Sequence, residues 1–242
     1  MAELAQSAGV PLRLLGGVAV RLRASDGLPH SLTREYKDLD FATTKKGAGD
    51  ASKLLRDAGY DPHVAFNAMN AKERMLFYDD PNQRQVDLFV GSFRMCHEIP
   101  LDRRLDVDRG TVPLAELLLT KLQIVELNEK DAQDVLYLCS AYPVADGDEP
   151  GTIGLGRIRP IVGNDWGWWR TVTLNLGHIT ALAGGDGQRL VPAGGKHDPV
   201  GQLAALGQAI EAAPKSLRWK ARARVGERVR WYELPEETPH HS

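Results

Sequence analysis

The sequence predicts an α+β chain, in which a mixed β-sheet with flanking helices is followed by a mostly helical C-terminal region. Three observations predict it. Between residues 12 and 90, short apolar runs of strand length alternate with amphipathic runs of helix length. The last two strand runs are separated only by DDPN at 79–82, strong turn formers too short for a crossover, which calls for an antiparallel hairpin. Beyond residue 151 the apolar spacing is helical almost throughout.

In chain order, LRLL at 12–15 reads as a strand, and a helix starts from Gly17. Leu39 to Ala42 reads as the next strand, and Ala51 to Ala58 as a helix. Arg74 to Tyr78 and Gln85 to Val90 form the predicted hairpin. That alternation alone fits an α/β or an α+β unit, and the hairpin favours a mixed sheet. From Leu114 onward, Leu117, Leu118, Leu122 and Val125 recur at helical spacing, giving two helices or one bent helix up to about residue 142. PVADGDEPG at 143–151 collects Pro, Gly and Asp, which places a boundary between a first domain, 1–145, and a second, 146–242. Helices are expected at 153–162, 166–182, 201–212 and 216–225, with AGGDGQRLVPAGGKHDP as a glycine-rich loop between two of them.

Composition narrows the function classes. The 242 residues are 43% hydrophobic and 26% charged, as in a globular protein, and no apolar run is long enough to cross a bilayer. The first residues lack a basic stretch followed by a long apolar core, so a cytoplasmic protein without a membrane partner is expected. Cys96 and Cys139, far apart and outside any CxxC pair, read as buried thiols rather than as a disulfide or zinc site. The formal charge of −2 hides a local excess of seven basic residues over one acidic residue at 214–232.

The chemistry-bearing residues lie in the first half. Gly16 and Gly17 fall where a strand turns into a helix. There the backbone can approach a ligand closely, and the free N–H groups at the helix start favour an anion such as a phosphate. A tight turn with close helix packing is the plainer reading of the pair. Asp38 and Asp40, one residue apart on a strand, point to the same face while Leu39 and Phe41 point to the core. Two such carboxylates repel unless water screens them or a cation is shared, and oxygen-only ligands beside phosphate suit Mg²⁺. Asp87 in QVDLFVG repeats the pattern on a second strand. If the strands are neighbours, the three acids can hold two Mg²⁺ ions and orient a hydroxyl for in-line attack on an α-phosphate.

LLGG, KDLDF and QVDLF, in that order over residues 12 to about 142, resemble the nucleotidyltransferase superfamily, the polymerase-beta-like minimal fold. Within it, DLDF and the later KLQIVELNEKDAQD resemble the AbiEii/AbiGii toxin-type nucleotidyltransferases. The spacing from Gly17 to Asp38 exceeds the minimal pattern. Ile124 and Asn128 stand where the toxin-type motif has a lysine and an arginine. The resemblance implies transfer of a nucleoside monophosphate from a nucleoside triphosphate to a hydroxyl, with release of pyrophosphate. It implies a triphosphate cradle at Gly16 and Gly17, Mg²⁺ on Asp38 and Asp40, and Asp87 as a further metal ligand or base. Arg34 and Lys37 would contact phosphates, and Lys121 and Lys130 would neutralise the triphosphate.

In the second region, Trp166, Trp168 and Trp169 read as helix packing rather than base stacking. The basic segment 214–232, with Trp219, Trp231 and Tyr232, reads either as a solvated face or as a contact for an RNA acceptor. The family resemblance adds a toxin role with an antitoxin protein as partner. The alternatives are a small-molecule (antibiotic) or protein acceptor, and a non-catalytic nucleotide-binding module.

Overall fold

A computed structural model describes residues 1–24 and 36–234. Helix α1 (Ala2–Ser7) leads into β1 (Leu12–Leu15), α2 (Gly16–Arg23) and β2 (Asp38–Thr43). Then come α3 (Ala48–Asp57), the two-residue β3 (Asp61–Pro62), α4 (Val64–Asn70), β4 (Arg74–Asp79) and β5 (Arg84–Val90). These five strands form one mixed sheet in the order β1-β2-β5-β4-β3. Only the β2/β5 pair is parallel, as the crossover through α3 requires, and the β4/β5 hairpin is antiparallel as its turn residues predict. Gln83 closes that hairpin in the left-handed region, at φ 51°.

The pleat sorts the side chains. Leu12, Phe41, Met75, Phe77, Val86, Leu88 and Val90 pack with Ala51 and Leu55 of α3 on one face. Leu15, Ala42 and Phe89 pack with α2 and the later helices on the other. Register on this second face gives two rows that matter for function: Asp38, Gln85 and Tyr78 in one, and Leu15, Asp40, Asp87 and Leu76 in the next.

A small hairpin, β6 (Ser92–Arg94) with β7 (Glu98–Pro100), follows the sheet. Helices α5 (Leu114–Leu122) and α6 (Glu129–Ala141) lie against α2. Asn128 ends the link between them as an N-cap, its Oδ1 accepting from the N–H groups of Lys130 (2.9 Å) and Asp131 (3.1 Å), which makes two helices rather than one bent one. At 143–154, β8 (Val144–Ala145) pairs in parallel with β9 (Ile153–Gly154). Helices α7 (Leu155–Asn164), α8 (Trp166–Gly184), α9 (Pro199–Ala212) and α10 (Leu217–Val225) complete the chain. One apolar cluster runs from Leu15 through Leu118 and Leu136 to Ile179 and Leu206.

A buried ion network also spans this region. Glu116, fully buried on α5, takes Arg104 Nε at 2.5 Å and Arg157 Nε at 2.7 Å, and Arg104 reaches Asp148 at 2.6 Å. The predicted helices fall within a few residues of those observed. The periodicity missed α1 and α4, because α1 buries only Ala5 and α4 buries no residue, so neither carries an apolar stripe to read. The glycine-rich stretch contains a short 3₁₀ turn at Asp186–Leu190. Among the described residues, no helix is long and apolar enough to cross a membrane.

Candidate active site

The acids converge through strand register. Asp40 and Asp87 are direct partners on the parallel strands β2 and β5, and Asp38 lies on the same face one row away. Beside them β1 ends at Leu15, the partner of Asp40, and the chain turns at Gly16 into α2. Gly16 has φ +71°, and a Cβ there would overlap Oδ2 of Asp40. Residue 16 must therefore be glycine for two independent reasons, a left-handed backbone and the carboxylate against it. The helix starts one residue earlier than the sequence pattern indicates. Its N-cap, Leu15, supplies no side-chain hydrogen bond, so the first N–H groups of α2 are left for other acceptors.

Crowding sets the charge state of Asp40. Burial, then the neighbouring Asp87, pushes its pKa up to about 7, with Asp38 adding to the effect and Lys121 and Arg74 opposing it. Asp87 is almost wholly buried and both of its oxygens are engaged: Arg74 Nε donates to Oδ1 at 2.8 Å and Gln85 Nε2 to Oδ2 at 2.9 Å. The Arg74 guanidinium also lies 5.0 Å from the centre of the Phe89 ring.

Lys121, at the end of α5, reaches this region from above the sheet. Its Nζ sits between Asp131 (3.1 Å) and Asp134 (2.9 Å) of α6. Burial pulls its pKa down, but Asp134 and Asp131 outweigh that and hold it above the usual lysine value. Lys130 stands exposed in the first turn of α6 and is not among the charges acting on Asp40. Asp134 pairs with Lys121. Lys37 is exposed just before β2, its carbonyl accepting from Gln85 N–H at 3.1 Å. Arg34 lies outside the described residues.

The donor set suits a hard cation, since two carboxylates held side by side beside a glycine turn lower their mutual repulsion by sharing one. Asp38 and Asp40 fit Mg²⁺ on these grounds, and Asp87 would share its oxygens between a cation and Arg74. Among the described residues, no group of three or more Asp, Glu, His or Cys converges closely enough to hold a metal ion as it stands.

Sequence reasoning passed over Arg74, Gln85 and the clamp formed by Asp131 and Asp134. The hairpin register contained the signal for Arg74. It pairs with Phe89, which makes Asp87 its diagonal neighbour on the same face.

At the outer end of β2 and β5, a cleft of about 520 Å³ is lined by Lys37, Asp38, Tyr78, Asp80, Gln83, Arg84 and Gln85. The segment 214–232 lies elsewhere, against α7 and α8, where most of its aromatic faces are used inside the protein. Trp219 meets Trp169 at 5.2 Å, Trp231 meets Trp166 at 5.8 Å, and Arg222 covers Trp166 at 4.6 Å. Trp231 Nε1 donates to Thr171 at 3.0 Å. Arg218, Lys220, Arg224, Arg228 and Arg230 remain exposed. The three tryptophans of α8 pack as the sequence indicates, with Trp168 stacked on His97 at 4.8 Å.

No model of a known protein family matches this chain, and no curated protein matches it. Among solved structures it is similar to the solution structure of the antibiotic-resistance factor ANT(2'')-Ia, at 12% identity and a TM-score of 0.39, over 57% of this chain and 78% of that one. It is similar at the same identity and score to the crystal structure of ANT(2'')-Ia in complex with adenylyl-2''-tobramycin, over 57% of this chain and 83% of that one.

Proposed function

We propose that this protein transfers a nucleoside monophosphate from a nucleoside triphosphate to an acceptor hydroxyl and releases pyrophosphate. The observation that carries the reading is the contact between Gly16 and Asp40. An anion-binding helix start is built directly against a pair of carboxylates, and that juxtaposition is favourable for a triphosphate only if cations lie between them. Mg²⁺ held by Asp38 and Asp40 would neutralise the triphosphate and polarise its α-phosphate.

The chain's own groups then divide the work. The N–H groups at Gly16 and Gly17 hold the leaving phosphates, and α2 adds the positive end of its dipole. Lys121, kept charged by Asp131 and Asp134, brings a fixed cation to the same space without needing to reorganise. Asp87, on the side of Asp40 away from β1, accepts the proton of the acceptor hydroxyl as the new O–P bond forms and the bond to pyrophosphate breaks. Arg74 and Gln85 orient that carboxylate.

Incubation with each α-labelled nucleoside triphosphate, Mg²⁺ and either total RNA or hydroxyl-bearing small molecules tests the reading. Label should enter one acceptor pool and be lost in Asp38→Ala and Asp40→Ala. Absence of Mg²⁺-dependent nucleotide binding and of turnover with every triphosphate would overturn it. RNA as acceptor is supported by the exposed basic residues of 214–232, although most of the aromatic residues there are already packed. A toxin role with an antitoxin partner rests on the sequence resemblance alone, and growth arrest on expression, relieved by Asp40→Ala, tests the toxin role.

A further inference from the structure

We propose that the cleft bounded by Lys37, Tyr78, Arg84 and Gln85 is the acceptor subsite, and that Lys37 and Arg84 hold a phosphate of the acceptor next to the hydroxyl that is modified. This rests on the nucleotidyl-transfer reading, because it follows from the direction of an in-line displacement. The leaving pyrophosphate and the attacking oxygen must lie on opposite sides of the α-phosphorus. Across the sheet the order is fixed: the Gly16 turn at the end of β1, then Asp40 on β2, then Asp87 on β5, then β4. With the leaving phosphates at the β1 side, the acceptor enters from the β5/β4 side.

A cleft of about 520 Å³ lies at the outer ends of β2, β5 and β4, away from β1, and it opens onto Asp38 and onto Gln85, the residue that holds Asp87. Its charge states what it takes. Lys37 and Arg84 are exposed and form no side-chain hydrogen bond or ion pair with another described residue. Once Asp38 is committed to a cation, Asp80 is the remaining acid of the cleft lining among the described residues, with Asp79 the strand partner of Arg84 beside it. An anionic acceptor is favoured there and a polycationic one is repelled. Lys37 stands beside Gln85 at the start of the strand pair, its carbonyl accepting from Gln85 N–H, and it lines the cleft together with Arg84. The common chemistry is a hydroxyl beside a phosphate, as at the ribose end of an RNA strand or in a free mononucleotide.

The test measures binding without turnover. A fluorescently labelled short RNA oligonucleotide, and separately a nucleoside monophosphate, are titrated into the full chain saturated with Mg²⁺ and a non-hydrolysable triphosphate analogue. In the double variant Lys37→Gln/Arg84→Gln, acceptor affinity should fall by about tenfold or more, as loss of both cations on that phosphate implies. Affinity for the triphosphate analogue should stay within about twofold, since no contact on its side is removed. For the oligonucleotide, the salt dependence should become shallower by about 0.7, for the one phosphate that loses its cations. A loss seen only with the oligonucleotide identifies RNA as the source, and an equal loss with the mononucleotide identifies the free nucleotide.

Acceptor affinity unchanged in the double variant overturns the proposal, as does a parallel loss of triphosphate affinity, which would put Lys37 and Arg84 on the leaving side. Failure of the underlying reading shows separately, as wild-type protein that does not bind the triphosphate analogue with Mg²⁺ in the absence of any acceptor. Both substituted residues are exposed, and an unchanged melting transition confirms that the variant is folded.

Discussion

A side chain on residue 16 would overlap Oδ2 of Asp40, so Gly16 and Asp40 divide a space that holds only one of them. The start of α2 is thereby pressed against the carboxylate pair formed by Asp40 and Asp87. In the proposed reaction, this contact joins the triphosphate cradle to the carboxylates that would hold Mg²⁺.

Gly16→Ala should therefore cost both stability and activity. The left-handed backbone and the displaced carboxylate together are worth about 1–3 kcal/mol, seen as a lower denaturation midpoint. Transfer activity should fall far more than that loss explains, because Asp40 is moved. Gly59, also at positive φ but with open space around it, serves as the control: Gly59→Ala should show the strain without the loss of activity.

Asp40→Asn should abolish Mg²⁺-dependent transfer while stabilising the chain in chelator at pH 8. Burial and Asp87 make the ionised carboxylate unfavourable in the folded state, pushing its pKa to about 7, and the amide removes that charge. A gain of about 1–3 kcal/mol is expected, read as a raised melting temperature. A lower melting temperature in chelator would show that Asp40 supports the fold instead of opposing it.

Lys121→Met leaves Asp131 and Asp134 without the ammonium that pairs both, inside a region where all three are largely buried. Loss of about 3–5 kcal/mol is expected. Adding Asp131→Asn and Asp134→Asn to Lys121→Met should recover much of that stability without restoring transfer. Chemical denaturation of the single and triple variants provides the comparison.

His97 supplies a pH dependence. It is buried, stacked on Trp168, and its Nε2 lies 2.8 Å from Thr171 Oγ1. Burial lowers its pKa from 6.5 to about 4. Between those values the unfolded chain binds a proton that the folded chain does not, so stability rises with pH from about 4 to about 6.5 and is lost as pH falls through that window. The loss at the acid end is about 3 kcal/mol. In His97→Gln, this component of the stability-versus-pH curve should disappear while the carboxylate component remains.

Much of the candidate site was legible because strands alternate. Asp38 and Asp40 share a face by the period of two, and Asp87 must oppose Val86 and Leu88, so the faces follow from strand alternation. The strand neighbours do not. Nothing between Thr43 and Arg84 in sequence states that β5 inserts between β2 and β4, and only that insertion makes Asp40 and Asp87 partners. Arg74 illustrates the intermediate case: a basic residue at the start of a strand becomes the partner of Asp87 once the hairpin register is known.

The aromatic and basic segment was the least legible part. Tryptophans beside arginines have the same composition whether they stack on bases or on one another, and packing against α8 uses the faces of Trp219 and Trp231. Lys121 and Lys130 were equivalent as lysines in a charged helical stretch. The Asn128 cap, by starting α6 where it does, turns Asp131 and Asp134 toward Lys121, while Lys130 stands at the exposed first turn.

By itself, then, the sequence determined the mixed sheet, the glycine turn and the face on which three carboxylates stand, because these depend on local periodicity and turn chemistry. Tertiary structure alone decided which carboxylates are neighbours and which lysine is held near them. Those depend on strand order and helix packing, which join residues far apart in the chain and leave no periodic trace in it.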